Sequence, residues 1–287
     1  MTIIIDGKKI AESKQEILRG KILSFPSKPS FAIILVGQNP SSIIYVNNKI
    51  KSAFQIGIDA KLISLPSTIT TEELTSKIHE LNNDDKINGI IVQLPLPDHI
   101  DNYQIINSIS PYKDIDGFHP LNVGLLYSGK DPLFTPCTPL GILELIQNYY
   151  NNFAEKISSK HAVIVGRSNI VGRPLASLLL KNDLTVTICH SKTNNLKSLT
   201  KQADIIICAS GQMLAFDSNY FSKDSVVIDV GIARTEEGKI VGDVLFDNVF
   251  GNIAGITKVP GGVGPMTIVC LMENIVKSYE KQINILK

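Results

Sequence analysis

With 287 residues, 44% of them hydrophobic and 19% charged, the chain can bury two cores at about 150 residues per domain. A formal net charge of +1, without a block of like charges or an apolar run of ~18 residues, excludes a field that draws nucleic acid and a bilayer span. The 4 cysteines (Cys137, Cys189, Cys208 and Cys270) form no C-x-x-C pair, and the histidines are few, which argues for reduced thiols in a cytoplasmic setting and against a disulfide framework or metal site.

The first residues, Met1-Thr2-Ile3-Ile4-Ile5-Asp6-Gly7, carry no basic segment before a long apolar one and do not read as a signal peptide. Residues 31–36 then form a short apolar run that predicts a buried strand, followed by a helix over about 42–56. Strands are expected at 58–63 and 89–93, with a helix over 72–81 between them. A Pro- and Gly-rich stretch, 111–139, interrupts this rhythm as linkers and active-site loops do. After a helix over 139–150, strands at 161–165, 184–189, 205–209 and 226–230 alternate with helices at 174–181 and 195–203. The last segment, 266–285, is long and amphipathic and is expected to pack back on the first domain. Such alternation predicts an α/β chain with two doubly wound domains, one from 1–135 plus 266–287 and one from 136–265.

Tyr45 and Lys49 lie four apart on the first predicted helix and so share a face. A solvated lysine beside a half-buried tyrosine has the same spacing. Gln93-Leu94-Pro95-Leu96-Pro97 follows a buried strand at the carboxyl edge, where open α/β sheets bind ligands, and its glutamine could orient an ammonium. Lys113-Asp114-Ile115-Asp116-Gly117-Phe118 puts two acids in the interrupting loop, where acids commonly solvate or cap.

The strand at 161–165 runs into Gly166-Arg167-Ser168-Asn169-Ile170-Val171-Gly172-Arg173-Pro174. A strand, a glycine turn and a helix N-terminus can cradle a pyrophosphate. The spacing is not G-x-G-x-x-G, because Ser168 stands at the middle position, and a tight turn without a ligand fits it too. The next strand ends in His190-Ser191-Lys192-Thr193, with donors where an NAD site usually carries an acid. With Arg167 nearby, this favours a 2′-phosphate and hence NADP.

Taken together, Tyr45 to Lys49, Gln93 to Pro97, Pro111 to Pro120, Pro136-Cys137-Thr138-Pro139, Gly166 to Pro174, Val227 to Gly231 and Pro260-Gly261-Gly262-Val263-Gly264-Pro265-Met266-Thr267 resemble the folate dehydrogenase–cyclohydrolase family over nearly the whole chain. The resemblance implies a folate-binding catalytic domain and a Rossmann-like NADP domain with an active-site cleft between them. It implies NADP-dependent oxidation of 5,10-methylenetetrahydrofolate, then hydrolysis of the methenyl product to 10-formyltetrahydrofolate, by a cytoplasmic homodimer without metal, nucleic acid or membrane. Lys49 is then the proton-transfer residue, Gln93 positions it, Tyr45 stacks on the folate and Asp116 binds the pterin. Gly166, Arg167, Ser168, Gly172, His190, Ser191, Gly231 and Ile232 hold the cofactor, and Gly262 and Pro265 line the folate side. Asp114 and His119 read as structural. One lysine serves both proton transfers if its amine is held neutral, which burial and a cationic substrate both favour.

Two positions depart from the family pattern: Lys258 stands where proline is frequent, and Leu125 where arginine is. Three rivals remain. A monofunctional dehydrogenase of the same fold would not need Tyr45, Lys49 and Gln93 together. A binding protein without turnover would keep only the glycine loop. A shikimate-type dehydrogenase would lack the Gln93 segment paired with Lys49.

Overall fold

Apolar runs too short for helices become strands of two parallel sheets. The computed structural model describes residues 1–285, and the chain divides into two units: Met1–Ala11 with Thr138–Thr267, and Glu12–Cys137 with the described chain from Ile268 onward. Strand β1 (Ile3–Ile5) and helix α1 (Gly7–Ile22) come first. β2 (Ser30–Val36) is buried from Phe31 to Val36, as befits a central parallel strand covered on both faces. Gly37, at φ +76°, turns the chain into α2 (Pro40–Ile56). Asn39 caps that helix by accepting the N–H groups of Ser41 and Ser42 at 3.0 and 3.1 Å, and left-handed Gly57 ends it.

β3 (Asp59–Leu65), α3 (Thr71–Asn82) with a reciprocal Thr70–Glu73 capping box, and β4 (Gly89–Val92) follow. The sheet order is β3-β2-β4, so the chain winds first to one side of β2 and then to the other. The carboxyl ends of β2 and β4 therefore flank a switch point, the usual ligand position of open sheets. Ala32, Ile34, Leu74, Ile78, Ile90 and Ile105 form the core here. α4 (Asn102–Ser108) and α5 (Pro120–Tyr127) follow. The stretch read as an interruption thus contains a helix, which is only 8 residues long and has no amphipathic period to reveal it. His119 starts it, its Nδ1 accepting the Leu121 N–H at 3.0 Å.

The other unit contains α6 (Cys137–Asn151), β5 (His161–Val165), α7 (Gly172–Lys181), β6 (Thr185–Cys189), α8 (Leu196–Lys201), β7 (Ile205–Cys208) and β8 (Val226–Asp229). A short hairpin of β9 (Ala233–Arg234) and β10 (Ile240–Val241), α9 (Phe246–Val249), β11 (Gly255–Thr257) and finally α10 (Val263–Ile285) complete the chain. Its six-stranded parallel sheet has the order β1-β11-β8-β7-β5-β6, with the switch point between β5 and β7.

Residues Met1–Ala11, expected in the 1–135 domain, group in the structure with the six-stranded sheet, where β1 pairs in parallel with β11, Ile3 opposite Gly255 and Ile5 opposite Thr257. From Ile268 on, α10 is part of the three-stranded unit, where the Ser278 hydroxyl donates to Asn88 O at 2.6 Å and to Tyr112 O at 3.0 Å. No helix among the described residues is long and apolar enough to cross a membrane.

Candidate active site

The helix after β2 carries Lys49, whose side chain is buried at 6% exposure. Its Nζ donates to Gln93 Oε1 at 3.2 Å. Gln93 directly follows β4, and its backbone N–H is tied to Ile34 O of β2 at 2.9 Å. The Gln93 side-chain nitrogen donates to Leu94 O at 2.8 Å, which leaves the amide oxygen for the lysine. One turn before Lys49, the half-buried Tyr45 ring lies 5.9 Å from Nζ. Burial, and then the Asp116 charge, push the Tyr45 hydroxyl above its ordinary value. Burial also drives the Cys137 thiol well up, reinforced by Asp116 and opposed by Lys49, so both charges are felt at one place and the thiol is no nucleophile. The structure thus joins Lys49 to Gln93 by a hydrogen bond and sets the Tyr45 ring beside that amine, while the Asp116 charge bears on Tyr45 and Cys137.

Asp114 turns inward instead, at 1% exposure, and burial pushes its carboxyl up to about 7 against the N–H groups that point at it. A raised carboxyl contributes stability that is complete below about 3.9, the unfolded value, and is lost as pH rises through about 7. The advantage of wild type over Asp114→Asn in urea unfolding should therefore shrink by about 2 kcal/mol between pH 5 and pH 8. An advantage independent of pH would contradict this.

In the six-stranded unit the glycine turn sits at the switch point. Gly166 has φ +142°, and a Cβ there would lie 2.1 Å from Ala209 O, just beyond β7. A Cβ on Gly172 would lie 2.1 Å from Gly166 O. Both positions therefore demand glycine for close backbone approach. Ser168 Oγ accepts the Val171 N–H at 3.1 Å, and α7 begins without a side-chain cap. Arg167 and Ser168 are exposed on this turn. Gly166 N also donates to Cys189 O at 2.9 Å, which brings the end of β6 beside the turn. There His190 builds the next bend: its N–H goes to Thr193 Oγ1 at 2.9 Å, and its Nδ1 accepts from Lys192 N at 3.1 Å. Ser191 is left exposed.

Gly231 and Ile232 follow β8, Gly231 buried and Ile232 at 56% exposure. What holds them is a pair of buried acids that sequence reasoning missed. Asp229 accepts the N–H groups of Gly231, Asp243 and Val244 at 2.9–3.0 Å, and burial lifts its carboxyl to about 6. Asp243 accepts from Ser210 N, Ser210 Oγ and Gly211 N at 2.7–3.0 Å. Together they tie down the loops after β7 and β8. The available signal was an aspartate ending the otherwise apolar β8, which must find donors inside.

Gly262 and Pro265 lie between β11 and the first turn of α10. Gly262 is buried against Lys258 O and the Thr257 side chain, and its own carbonyl leaves no room for a Cβ on Gly7. Gly7, also missed from sequence, thus seats this segment, together with the Lys8 N–H donated to Gly261 O at 2.8 Å.

The doubly wound sheet with a glycine cradle at its switch point defines a dinucleotide-binding α/β protein, and the other unit adds a buried lysine oriented by an amide. Comparison with known proteins narrows this class. The NAD(P)-binding domain of tetrahydrofolate dehydrogenase/cyclohydrolase matches residues 136–283, and the catalytic domain of the same family matches residues 5–116. A "Bifunctional protein FolD" from Rickettsia bellii is 55% identical over 98% of this chain and 99% of its own length. The solved FolD methylenetetrahydrofolate dehydrogenase/cyclohydrolase of Campylobacter jejuni superposes with a TM-score of 0.94 at 46% identity, over 98% of this chain and 99% of that one. The Trypanosoma brucei enzyme, solved with NADP cofactor and inhibitor, has a TM-score of 0.92 at 33% identity over 98% of both chains. The chain belongs to the tetrahydrofolate dehydrogenase/cyclohydrolase family.

Proposed function

We propose that this chain oxidises 5,10-methylenetetrahydrofolate to 5,10-methenyltetrahydrofolate with NADP and hydrolyses that product to 10-formyltetrahydrofolate, a bifunctional step of one-carbon metabolism. The observation that carries the reading is the buried Lys49 amine held by Gln93 beside Tyr45. A monofunctional dehydrogenase or a mere binding protein has no use for that arrangement.

Bound NADP supplies the hydride acceptor. The residues present fit it: the Gly166–Gly172 cradle leaves backbone room that a Cβ would fill, and Arg167 and Ser191 offer donors for a 2′-phosphate without a competing acid. His190 supports the bend that presents Ser191, and Asp229 and Asp243 keep the Gly231 and Ser210 loops in place.

Loss of hydride from the bridging carbon leaves a cation shared with two nitrogens, so oxidation asks the protein mainly for orientation. In this reading Tyr45 stacks on the folate, and Asp116 accepts paired N–H groups from the pterin edge. Hydrolysis asks for more, because the attacking water must lose a proton and a ring nitrogen must gain one. Lys49 takes one water proton and returns it to the ring nitrogen, the second leaves to solvent as the formyl carbonyl forms, and Gln93 keeps Nζ in place. A homodimer and a cytoplasmic location are part of the same proposal, on the strength of the family resemblance.

The assay supplies methylenetetrahydrofolate with NADP or NAD and records reduced cofactor, methenyl and formyl products separately. Faster reduction with NADP and release of the formyl product are expected; a product that stops at methenyl in the wild type overturns the bifunctional reading. Arg167→Ala should lower kcat/KM for NADP by ~10–100-fold, the worth of a charged hydrogen bond, and leave NAD nearly untouched. An equal loss with both coenzymes would deny Arg167 the 2′-phosphate.

A further inference from the structure

The backbone around Asp116 is held by side chains that come from three separate segments. The Gly117 N–H donates to Asp114 O at 3.0 Å and closes the turn 114–117. Within it the Asp114 carboxylate accepts from Phe118 N at 3.1 Å, His119 N at 2.8 Å and Asn122 Nδ2 at 2.7 Å. Asn122, fully buried on α5, uses its oxygen for the Phe134 N–H at 3.3 Å. From α10, Asn274 at 4% exposure donates Nδ2 to Ile115 O at 2.8 Å and to Thr135 O at 3.0 Å. Gly117, at φ +76°, lies where a Cβ would come within 2.6 Å of Pro136 N. The Ile115 side chain is sunk in the core, and Asp116 between these anchors stays partly exposed.

We propose that Asp114, Asn122 and Asn274 form a buried polar clamp that positions Asp116 for the folate. They are positioning residues, and the inference rests on the reading of Asp116 as the pterin ligand. Asn274 holds the backbone just before this acid and the Asp114 carboxylate the backbone just after it, while Asn122 fixes that carboxylate, so the acid has little freedom to drift. A carboxylate holding a pterin edge by paired hydrogen bonds needs such restraint, since a displacement of about 1 Å can cost on the order of 100-fold. The clamp also explains why α10, so far away in sequence, carries an asparagine on its buried face.

The test uses dehydrogenase kinetics at pH 8 on Asp114→Asn, Asn274→Ala, Asp116→Asn and the doubles Asp114→Asn/Asp116→Asn and Asn274→Ala/Asp116→Asn. Each clamp variant should raise KM for methylenetetrahydrofolate about 10-fold or more and leave KM for NADP unchanged. In the Asp116→Asn background neither should raise it further, because the positioned group is already gone. If the clamp variants multiply the folate KM by the same factor with and without Asp116, they act on the fold alone and the proposal is wrong. It is equally wrong if they leave the folate KM unmoved while Asp116→Asn raises it. An unmoved KM in Asp116→Asn itself would instead strike the pterin reading. Asn274→Ala leaves every Asp114 bond in place, so it decides the matter even if Asp114→Asn does not fold.

Discussion

Lys49→Ala is expected to abolish hydrolysis of the methenyl product, with a loss of ~10²–10⁴-fold, the range for a positioned acid–base group. The amine is buried and its direct side-chain partner is Gln93, whose own nitrogen is committed to Leu94 O. No second lysine stands on that face of α2: Lys51 is exposed. Removing the amine therefore takes away the group proposed to accept and return the proton, while hydride loss, which needs orientation more than proton transfer, should continue. The measurement follows cofactor reduction and methenyl absorbance together. Methenyltetrahydrofolate should accumulate in the variant and not in the wild type. Hydrolysis at the wild-type rate in Lys49→Ala would remove the residue from the mechanism.

The second large effect is expected at the glycine turn. Gly166→Ala should lower unfolding free energy by about 2–5 kcal/mol, combining overpacking with backbone strain, and should weaken NADP binding at least ~100-fold. The added methyl would fall 2.1 Å from the Ala209 carbonyl, which is backbone and cannot swing aside as a flexible side chain would. Moving it would part the loops after β5 and β7, where the pyrophosphate is proposed to sit. Gly211→Ala is the control: it too has positive φ, but nothing lies within 4 Å of its Cβ, so only ~1–2 kcal/mol of left-handed strain is expected. Thermal melts and calorimetric NADP titration of both variants check this. Equal effects at the two glycines would show that crowding at Gly166 is unimportant.

Much of this protein was readable because its signals are local. β5 spans 161–165, as its apolar run predicts, since a strand buried on both faces must be apolar throughout. α2, α3, α6 and α7 lie within a few residues of their expected bounds, with caps such as Asn39 and Thr70–Glu73 that the chain itself supplies. The Tyr45–Lys49 pair was legible as a helical four-residue spacing, and Gln93 as the end of a buried strand. β1, α1, α4, α5, β9, β10, α9 and β11 were not read. β1 and β11 are only 3 residues each, too short for periodicity, and they gain their stability from each other across the length of the chain.

The sequence by itself determined the fold class, the two-domain alternation, the side chains proposed to react and the glycines the turn requires. These rest on residue type, on spacing within one element and on motifs contiguous along the chain. Tertiary structure alone decided that β1 joins the six-stranded sheet, that Gln93 gives its oxygen to Lys49, and that Asp229, Asp243, Asn122 and Asn274 spend their hydrogen bonds on loops elsewhere. The reason is physical. A buried polar group must find a partner wherever packing brings one, and the chain does not record over which sequence distance that partner will arrive.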